Sequence, residues 1–262
     1  MMGLITKTDV VYDTAHQLKT DIYYDDSIPG RATVIDIHGG GWFRGDKSKD
    51  ADWAQRLVAG GYVAVVPNYR ITPDAYYPAP LEDMQTLLAW LKTQDLPQQT
   101  AVVGSSAGGN MSVELAIQTG MPAVSLSGIL DIDDWLAHHE DIVAEEGDTS
   151  GFNSTASAKI NQDGHNDSFY KWFVTNYFNG DSSQWEAATP VHRVSEKTGP
   201  IFLANSLNEF VPTSGVLQFA QAMTDHQRPF EVMMVPGTRH AKGYLDDVFN
   251  QTMLFLDAHL EK

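Results

Sequence analysis

One serine in this chain stands where a side chain can act as a nucleophile. An apolar run over residues 100–103 stops at Gly104. Ser105, Ser106, Ala107, Gly108 and Gly109 follow, and a helical pattern begins at about Asn110. Gly104-Ser105-Ser106-Ala107-Gly108 fits G-x-S-x-G, a sharp strand-to-helix turn that exposes a serine hydroxyl. The turn strains the serine backbone, and side chains on either side would clash, which is the reason for the glycines. The helix that starts there aims its N-terminus at Ser106 Oγ and favours negative charge developing beside it. Read alone, the five residues serve equally as a Gly/Ser-rich loop without chemistry. Other groups stand in matching places. His38-Gly39-Gly40-Gly41-Trp42 ends an apolar strand pattern, and consecutive glycines let backbone N–H groups approach a ligand closely. Asn208-Glu209 and His240 follow two later strand patterns. Together a hydroxyl, an acid and an imidazole make a nucleophile whose proton passes to a base that the acid orients.

Such groups need a scaffold that ends several strands side by side. Residues 4–12 and 19–24 read as an antiparallel hairpin, and 32–37 as a near-continuous apolar strand of a buried parallel sheet. Asp36 interrupts that strand, and a buried carboxylate needs a partner. A helix ends near Gly60-Gly61, a strand covers 62–67, prolines at 73, 78 and 80 mark an extended loop, and 81–91 is an amphipathic helix. Strands at 100–104 and 123–127 flank a helix at 108–119. Strands at 200–205 and 230–235 alternate with helices at 213–226 and 244–260. This alternation predicts an α/β fold with a mostly parallel sheet, whose ligands bind outside the carboxyl ends of the strands. Residues 129–188 break the rhythm. They are acidic, then Ser/Asn/Gly-rich over 149–167, then carry Phe169, Trp172, Phe173 and Tyr177 at helical spacing, read as a core-facing stripe rather than a substrate groove. So long an excursion is usually functional, so residues 129–188 are expected to form a cap within a single domain spanning 1–262.

The 262 residues are 42% hydrophobic, enough for a sizeable core, and carry a formal net charge of −17. That charge argues against nucleic acid and anionic membranes as partners. There is no cysteine, hence no disulfide or thiolate metal site. No stretch is long enough to span a bilayer, and residues 1–11 lack a basic segment followed by an apolar core, so a soluble cytoplasmic protein is expected. A homo-oligomer is left open.

With these motifs in view, the chain resembles the hormone-sensitive-lipase-like carboxylesterases of the α/β-hydrolase superfamily. The likeness rests on His38-Gly39-Gly40-Gly41-Trp42, the segment from Asn68-Tyr69-Arg70 to Asp83, Gly104 to Gly109, and His240. It runs from about residue 32 to the C-terminus and is weakest in the cap. The order of serine, acid and histidine matches as well. The resemblance implies an eight-stranded, mostly parallel sheet flanked by helices, a cap, and hydrolysis of short acyl esters without a cofactor. Kynurenine-formamidase-like enzymes carry a similar loop and elbow, so an amide substrate is the alternative. A hydrolase fold that has lost catalysis and binds a small ligand is a third reading. The sequence departs from the family twice. Ser105 stands where an aspartate usually precedes the nucleophile, and Asn208 stands at the acid position four residues before Pro212. An amide carries no charge to stabilise an imidazolium. Glu209 is one residue later and one methylene longer, and Asp246 and Asp247 break the chain order. Glu209 is therefore the expected acid, although neighbours in an extended loop point opposite ways and its use requires a rearranged turn.

The expected mechanism has Ser106 attack a small-molecule ester while His240 takes its proton. Glu209 orients the imidazole, and the N–H groups of Gly40, Gly41 and Ala107 hold the oxyanion. Trp42, Phe43 and cap aromatics would line the substrate pocket. His38 is expected to orient its own loop, and Arg70 to pair with Glu82 or Asp83. His138-His139-Glu140-Asp141 and Asp163-Gly164-His165-Asn166-Asp167 lack zinc or EF-hand spacing, so no metal is expected.

Overall fold

The computed structural model describes residues 3–146, 167–209 and 211–260. The chain runs β1 (Leu4–Asp13), β2 (Leu18–Asp25), β3 (Thr33–Ile37), α1 (Ala51–Ala59), β4 (Val63–Pro67), α2 (Ala79–Leu91), β5 (Thr100–Ser105), α3 (Ala107–Thr119) and β6 (Ala123–Leu126). It continues through α4 (Asp133–His138), α5 (Asp167–Tyr177), α6 (Trp185–Ala188), β7 (Ile201–Ser206), α7 (Thr213–Asp225), β8 (Phe230–Val235) and α8 (Leu245–His259). All eight strands form one sheet in the order β1-β2-β4-β3-β5-β6-β7-β8. The β1–β2 and β2–β4 pairs are antiparallel and the other pairs are parallel. The expected eight-stranded, mostly parallel α/β-hydrolase sheet with an inserted helical region is the one found.

The inner strands are apolar on both sides because helices cover both faces. Ile35, Ile37, Val65 and Val102 face Leu81, Met84, Leu87, Met111 and Phe219 of α2, α3 and α7. Val34, Ala64, Val66, Ala101 and Val103 face Trp53, Leu57, Val248 and Phe255 of α1 and α8. Asp36 lies in β3 with both carboxylate oxygens buried and unpartnered. Burial, with Asp50 nearby, pushes its carboxyl well above the usual carboxylate range.

α2 begins at Ala79, two residues before the sequence pattern, because Pro80 sits in the first turn, where no intrahelical N–H is needed. α4, α5 and α6 stand between β6 and β7, in the stretch expected to cap the site. Phe169, Tyr170, Phe173 and Tyr177 of α5 are buried in the α2/α3 core, while Trp172 is half-buried. The C-terminal half of α5 is tied down. Asn176 Nδ2 donates to Thr72 Oγ1 at 2.8 Å, and Tyr77 N to Tyr177 O at 2.9 Å. The polar stretch at 149–166, with Asp163 to Asn166, lies outside the described residues.

Candidate active site

β3 and β5 are neighbours from which the chain crosses to opposite sides of the sheet, the switch point where open α/β sheets build sites. Ser106 occupies the single residue between β5 and α3, at φ 55° and ψ −119°. Positive φ is unfavourable for a residue with a side chain, of order 1–3 kcal/mol, and persists only where surroundings enforce it. The flanking glycines show what enforces it. A Cβ on Gly104 would come within 2.3 Å of Gly108 O, and one on Gly108 within 1.9 Å of Ile37 O. Elbow and β3 thus touch backbone to backbone. The N–H of Ala107 opens α3 and has no intrahelical acceptor.

The loop after β3 wraps over this turn. A Cβ on Gly39 would lie 3.3 Å from Ser106 Cβ. Gly40 O accepts from Arg44 N at 3.0 Å, and among the described residues the N–H groups of Gly40 and Gly41 make no backbone hydrogen bond. His38 holds the loop from behind. Its Nδ1 donates to Gly39 O at 2.7 Å, its ring stacks on Tyr69 with centroids 4.3 Å apart, and Tyr69 Oη donates to His38 O at 2.9 Å. Burial pushes its imidazole pKa down, keeping it neutral.

The acid and the imidazole come from the ends of β7 and β8. Glu209 Oε2 pairs with His240 Nδ1, and both side chains are buried. Glu209 Oε1 accepts from Ser206 N at 2.9 Å and from Ser127 Oγ at 2.7 Å. The turn that permits this is pinned by Leu207 N to Val235 O at 2.8 Å and Asn208 N to Gly237 O at 3.0 Å. Leu207 and Asn208 then face solvent, and the chain folds back so that Glu209 points inward. Asn208, at the family's acid position, does not reach the histidine.

Ser106 and His240 line one crevice of about 30 Å³, with His38, Gly39, Gly40 and Asp50, room for about one water. A larger cavity of about 480 Å³ opens at the amino ends of β3 and β5, beside Thr33, Thr100 and Lys92, away from these groups. The crevice is the one that joins the chemistry.

The two aromatics of the glycine loop separate. Phe43 is half-buried, its ring edge-on to Trp172 of α5 with centroids 4.9 Å apart. Trp42, expected to line the pocket, is fully buried and absent from the crevice. Its φ of 60° turns the ring inward, where it stacks on Tyr177 at 4.0 Å, and Thr72 N donates to its carbonyl at 2.8 Å. Trp42 anchors the loop, and Phe43, also outside the crevice lining, packs partly buried against Trp172.

Sequence reasoning missed three residues. Ser127, at φ 53°, touches Glu209, and its Oγ lies 2.6 Å from Tyr244 Oη. Lys242, two residues after His240, is bound to Asp50 Oδ1 at 2.7 Å, Asp52 Oδ1 at 2.5 Å and Lys49 O at 2.7 Å, tying the histidine loop to the entry of α1. Ser127 directly follows β6, the one signal that would have picked it out, whereas Tyr244 stands at the start of α8 with no such signal. Arg70 pairs with Asp83, with Nε 2.8 Å from Oδ1. Among the described residues the cluster with metal-ligand geometry is Asp13, His16 and Asp83, at the β1–β2 turn, where Asp83 is already committed to Arg70.

Known proteins match this arrangement. Residues 20–223 match the family model described as BD-FAE. Arylacetamide deacetylase of Oryctolagus cuniculus is 36% identical over 98 residues, covering 34% of this chain and 25% of that protein. Carboxylesterase NlhH of Mycobacterium tuberculosis is 32% identical over 122 residues, covering 43% of this chain and 37% of that one. The matched stretch thus spans well under half the length of either relative. Among solved structures, a Pyrobaculum calidifontis esterase superposes with a TM-score of 0.77 at 17% identity, covering 98% of this chain and 86% of that one. The acetyl ester-xyloside bifunctional hydrolase of Caldicellulosiruptor lactoaceticus gives 0.70 at 20% identity, covering 92% and 88%. These two likenesses are of fold. Because the family model extends over most of the sequence, from β2 into α7, the chain belongs to the BD-FAE family, on an α/β-hydrolase fold shared with hormone-sensitive-lipase-like esterases.

Proposed function

We propose that the chain is a serine hydrolase that cleaves small acyl esters through an acyl-enzyme. The observation that carries the reading is the Glu209–His240 pair, whose histidine lines the same crevice as a serine held at positive φ. Ser106 Oγ attacks the ester carbonyl as His240 takes its proton. Glu209 holds the imidazole in the tautomer that presents Nε2 and stabilises the imidazolium that forms. The tetrahedral oxyanion takes hydrogen bonds from the N–H groups of Ala107, Gly40 and Gly41, with α3 adding its positive end. Collapse expels the alcohol, protonated by His240, and leaves an ester on Ser106. Water, deprotonated by His240, then releases the acid. Phe43 and Trp172 wall the substrate site. No cofactor or metal takes part in these steps, and the site of action assigned is the cytoplasm.

An amide substrate is the second reading. It is favoured by the similarity to a protein named an arylacetamide deacetylase. The same triad serves both, so the substrate decides. A series of p-nitrophenyl esters of increasing acyl length, run beside an aryl formamide, should show highest kcat/KM on short esters. A fluorophosphonate probe should label the wild type, and Ser106→Ala should lose labelling and about 10⁴-fold or more in kcat while staying folded. Labelling on Ser105, or turnover that survives in Ser106→Ala, would remove the assignment.

A further inference from the structure

We propose that Ser127 and Tyr244 are positioning residues that hold the Glu209 carboxylate aimed at His240, through a chain of hydroxyls that ends on that carboxylate. The proposal rests on the serine-hydrolase reading above.

Ser127 is the first residue past β6, fully buried, at φ 53°. Its N–H donates to Ala204 O at 2.8 Å. Its Oγ donates to Glu209 Oε1 at 2.7 Å, accepts from Ala241 N at 2.8 Å and lies 2.6 Å from Tyr244 Oη. Tyr244 Oη is also 2.8 Å from Ala204 O. One hydroxyl therefore touches the acid and the residue next to the base. It ties the loops that follow β7 and β8 to the end of β6.

Counting hydrogens gives the chain a direction. Glu209, Ser127, Tyr244 and Ala204 O make three oxygen–oxygen contacts, and the two hydroxyls supply two hydrogens. With Glu209 ionised, Ser127 donates to the carboxylate, and the single Tyr244 hydrogen is shared between Ser127 Oγ and Ala204 O. Ala204 O keeps its bond from Ser127 N, so nothing is orphaned. Hydrogen bonds that polarise one another in a dry interior strengthen the ionised arrangement. Tyr244 stays protonated throughout, since burial and the charge of Glu209 push its phenol well up. Among the described residues, His240 touches Glu209 directly and Tyr244 touches it through Ser127, while Arg239 turns away to Asp247.

The backbone separates a functional hydroxyl from a structural one. Glycine is at ease at this φ and serine is not, so a serine here retains its hydroxyl against a conformational cost. Ser127→Gly deletes the hydroxyl and relieves the strain. The test measures kcat and KM on p-nitrophenyl acetate across pH, together with thermal midpoints, for wild type, Ser127→Gly, Tyr244→Phe and the double variant. The expected result for Ser127→Gly is a midpoint near or below wild type, because the acceptor lost to Ala241 N offsets the relieved φ strain, and KM within about twofold. Its kcat should fall about tenfold or more, the range of one hydrogen bond to a charged group. Loss of donors to an anion raises its proton affinity, so the acidic limb of kcat/KM should move to higher pH by about half a unit or more. Tyr244→Phe should move the limb the same way by less. The double variant should resemble Ser127→Gly, because Tyr244 acts through Ser127. An active wild type with Ser127→Gly at full kcat and an unmoved limb overturns the proposal alone. A wild type with no turnover and no fluorophosphonate labelling overturns the hydrolase reading, and this proposal with it.

Discussion

Glu209 and Asn208 are adjacent, and only a turn decides which of them serves His240. Leu207 and Asn208 each spend their N–H on the β8 side, on Val235 O and Gly237 O, and this rotates Glu209 inward with one oxygen for His240 and one for Ser206 N and Ser127. The extra methylene of glutamate covers the reach that an aspartate at position 208 would not need. Glu209→Gln should therefore lower kcat by about 10²-fold to 10⁴-fold, as loss of a triad charge does, whereas exposed Asn208→Ala should stay within about threefold. The reverse ranking would hand the orienting role to the amide. Gly41 offers a second test. Its φ is +58°, and a Cβ would stand 2.7 Å from Phe43 Cε1 and 3.3 Å from Phe173 Cδ2. Gly41→Ala should cost about 1–2 kcal/mol of stability through the backbone alone. If its N–H serves the oxyanion, kcat should also fall about 10²-fold to 10³-fold. A lowered melting temperature with untouched kcat would make this glycine structural and nothing more.

The aromatics of α5 differ in burial along one helix. Phe169 is 7% exposed and packs its ring on Phe173, with centroids 5.4 Å apart, whereas half-buried Trp172 meets Phe43 edge-on. Phe169→Ala should lose about 3–5 kcal/mol, the usual cost of emptying a phenylalanine site. Trp172→Ala should change the melting temperature much less and shift preference toward longer acyl groups. Denaturant titrations beside a p-nitrophenyl ester series separate the two, and equal stability losses with unchanged preference would make α5 pure scaffold. The helical spacing of these residues made α5 legible in the sequence, as the apolar runs made the inner strands and the two glycine clusters made the elbow and the loop. What stayed illegible depends on contacts distant in sequence. Trp42 and Phe43 look alike on paper, and a positive φ with Tyr177 waiting below sends one inward. Ser127 belongs to no spacing pattern, and its partners lie 82 and 117 positions away. Lys242 reaches its partners across 190 positions or more.

The molecule carries a net charge of −17 and still buries a carboxylate in the middle of its sheet. Asp36 occupies β3, the strand that leads into the His38 loop, and the groups bearing on it from the α1 side and the histidine loop are Asp50, Asp52 and Lys242. Lys242 gives its hydrogen bonds to Asp50, Asp52 and Lys49 O rather than to Asp36. Desolvation and the charge of Asp50 therefore outweigh the pull of Lys242, and the Asp36 carboxyl is raised well above its ordinary value. The sign of the linkage follows. In the unfolded chain this carboxyl ionises near pH 4, while the folded protein keeps the proton to higher pH. Between the two values the native state binds more protons than the unfolded state, so stability falls as pH rises, by about 1.4 kcal/mol per unit from this one group. Asp36→Asn keeps the shape of the neutral acid and cannot ionise. Its stability relative to wild type should grow with each step from pH 5 to pH 9 until the folded carboxyl has titrated, and level off beyond. Guanidinium unfolding of both proteins at five pH values measures this difference. A gap that stays constant across the range would mean that Asp36 is ionised in the fold, and that Lys242 reaches it after all.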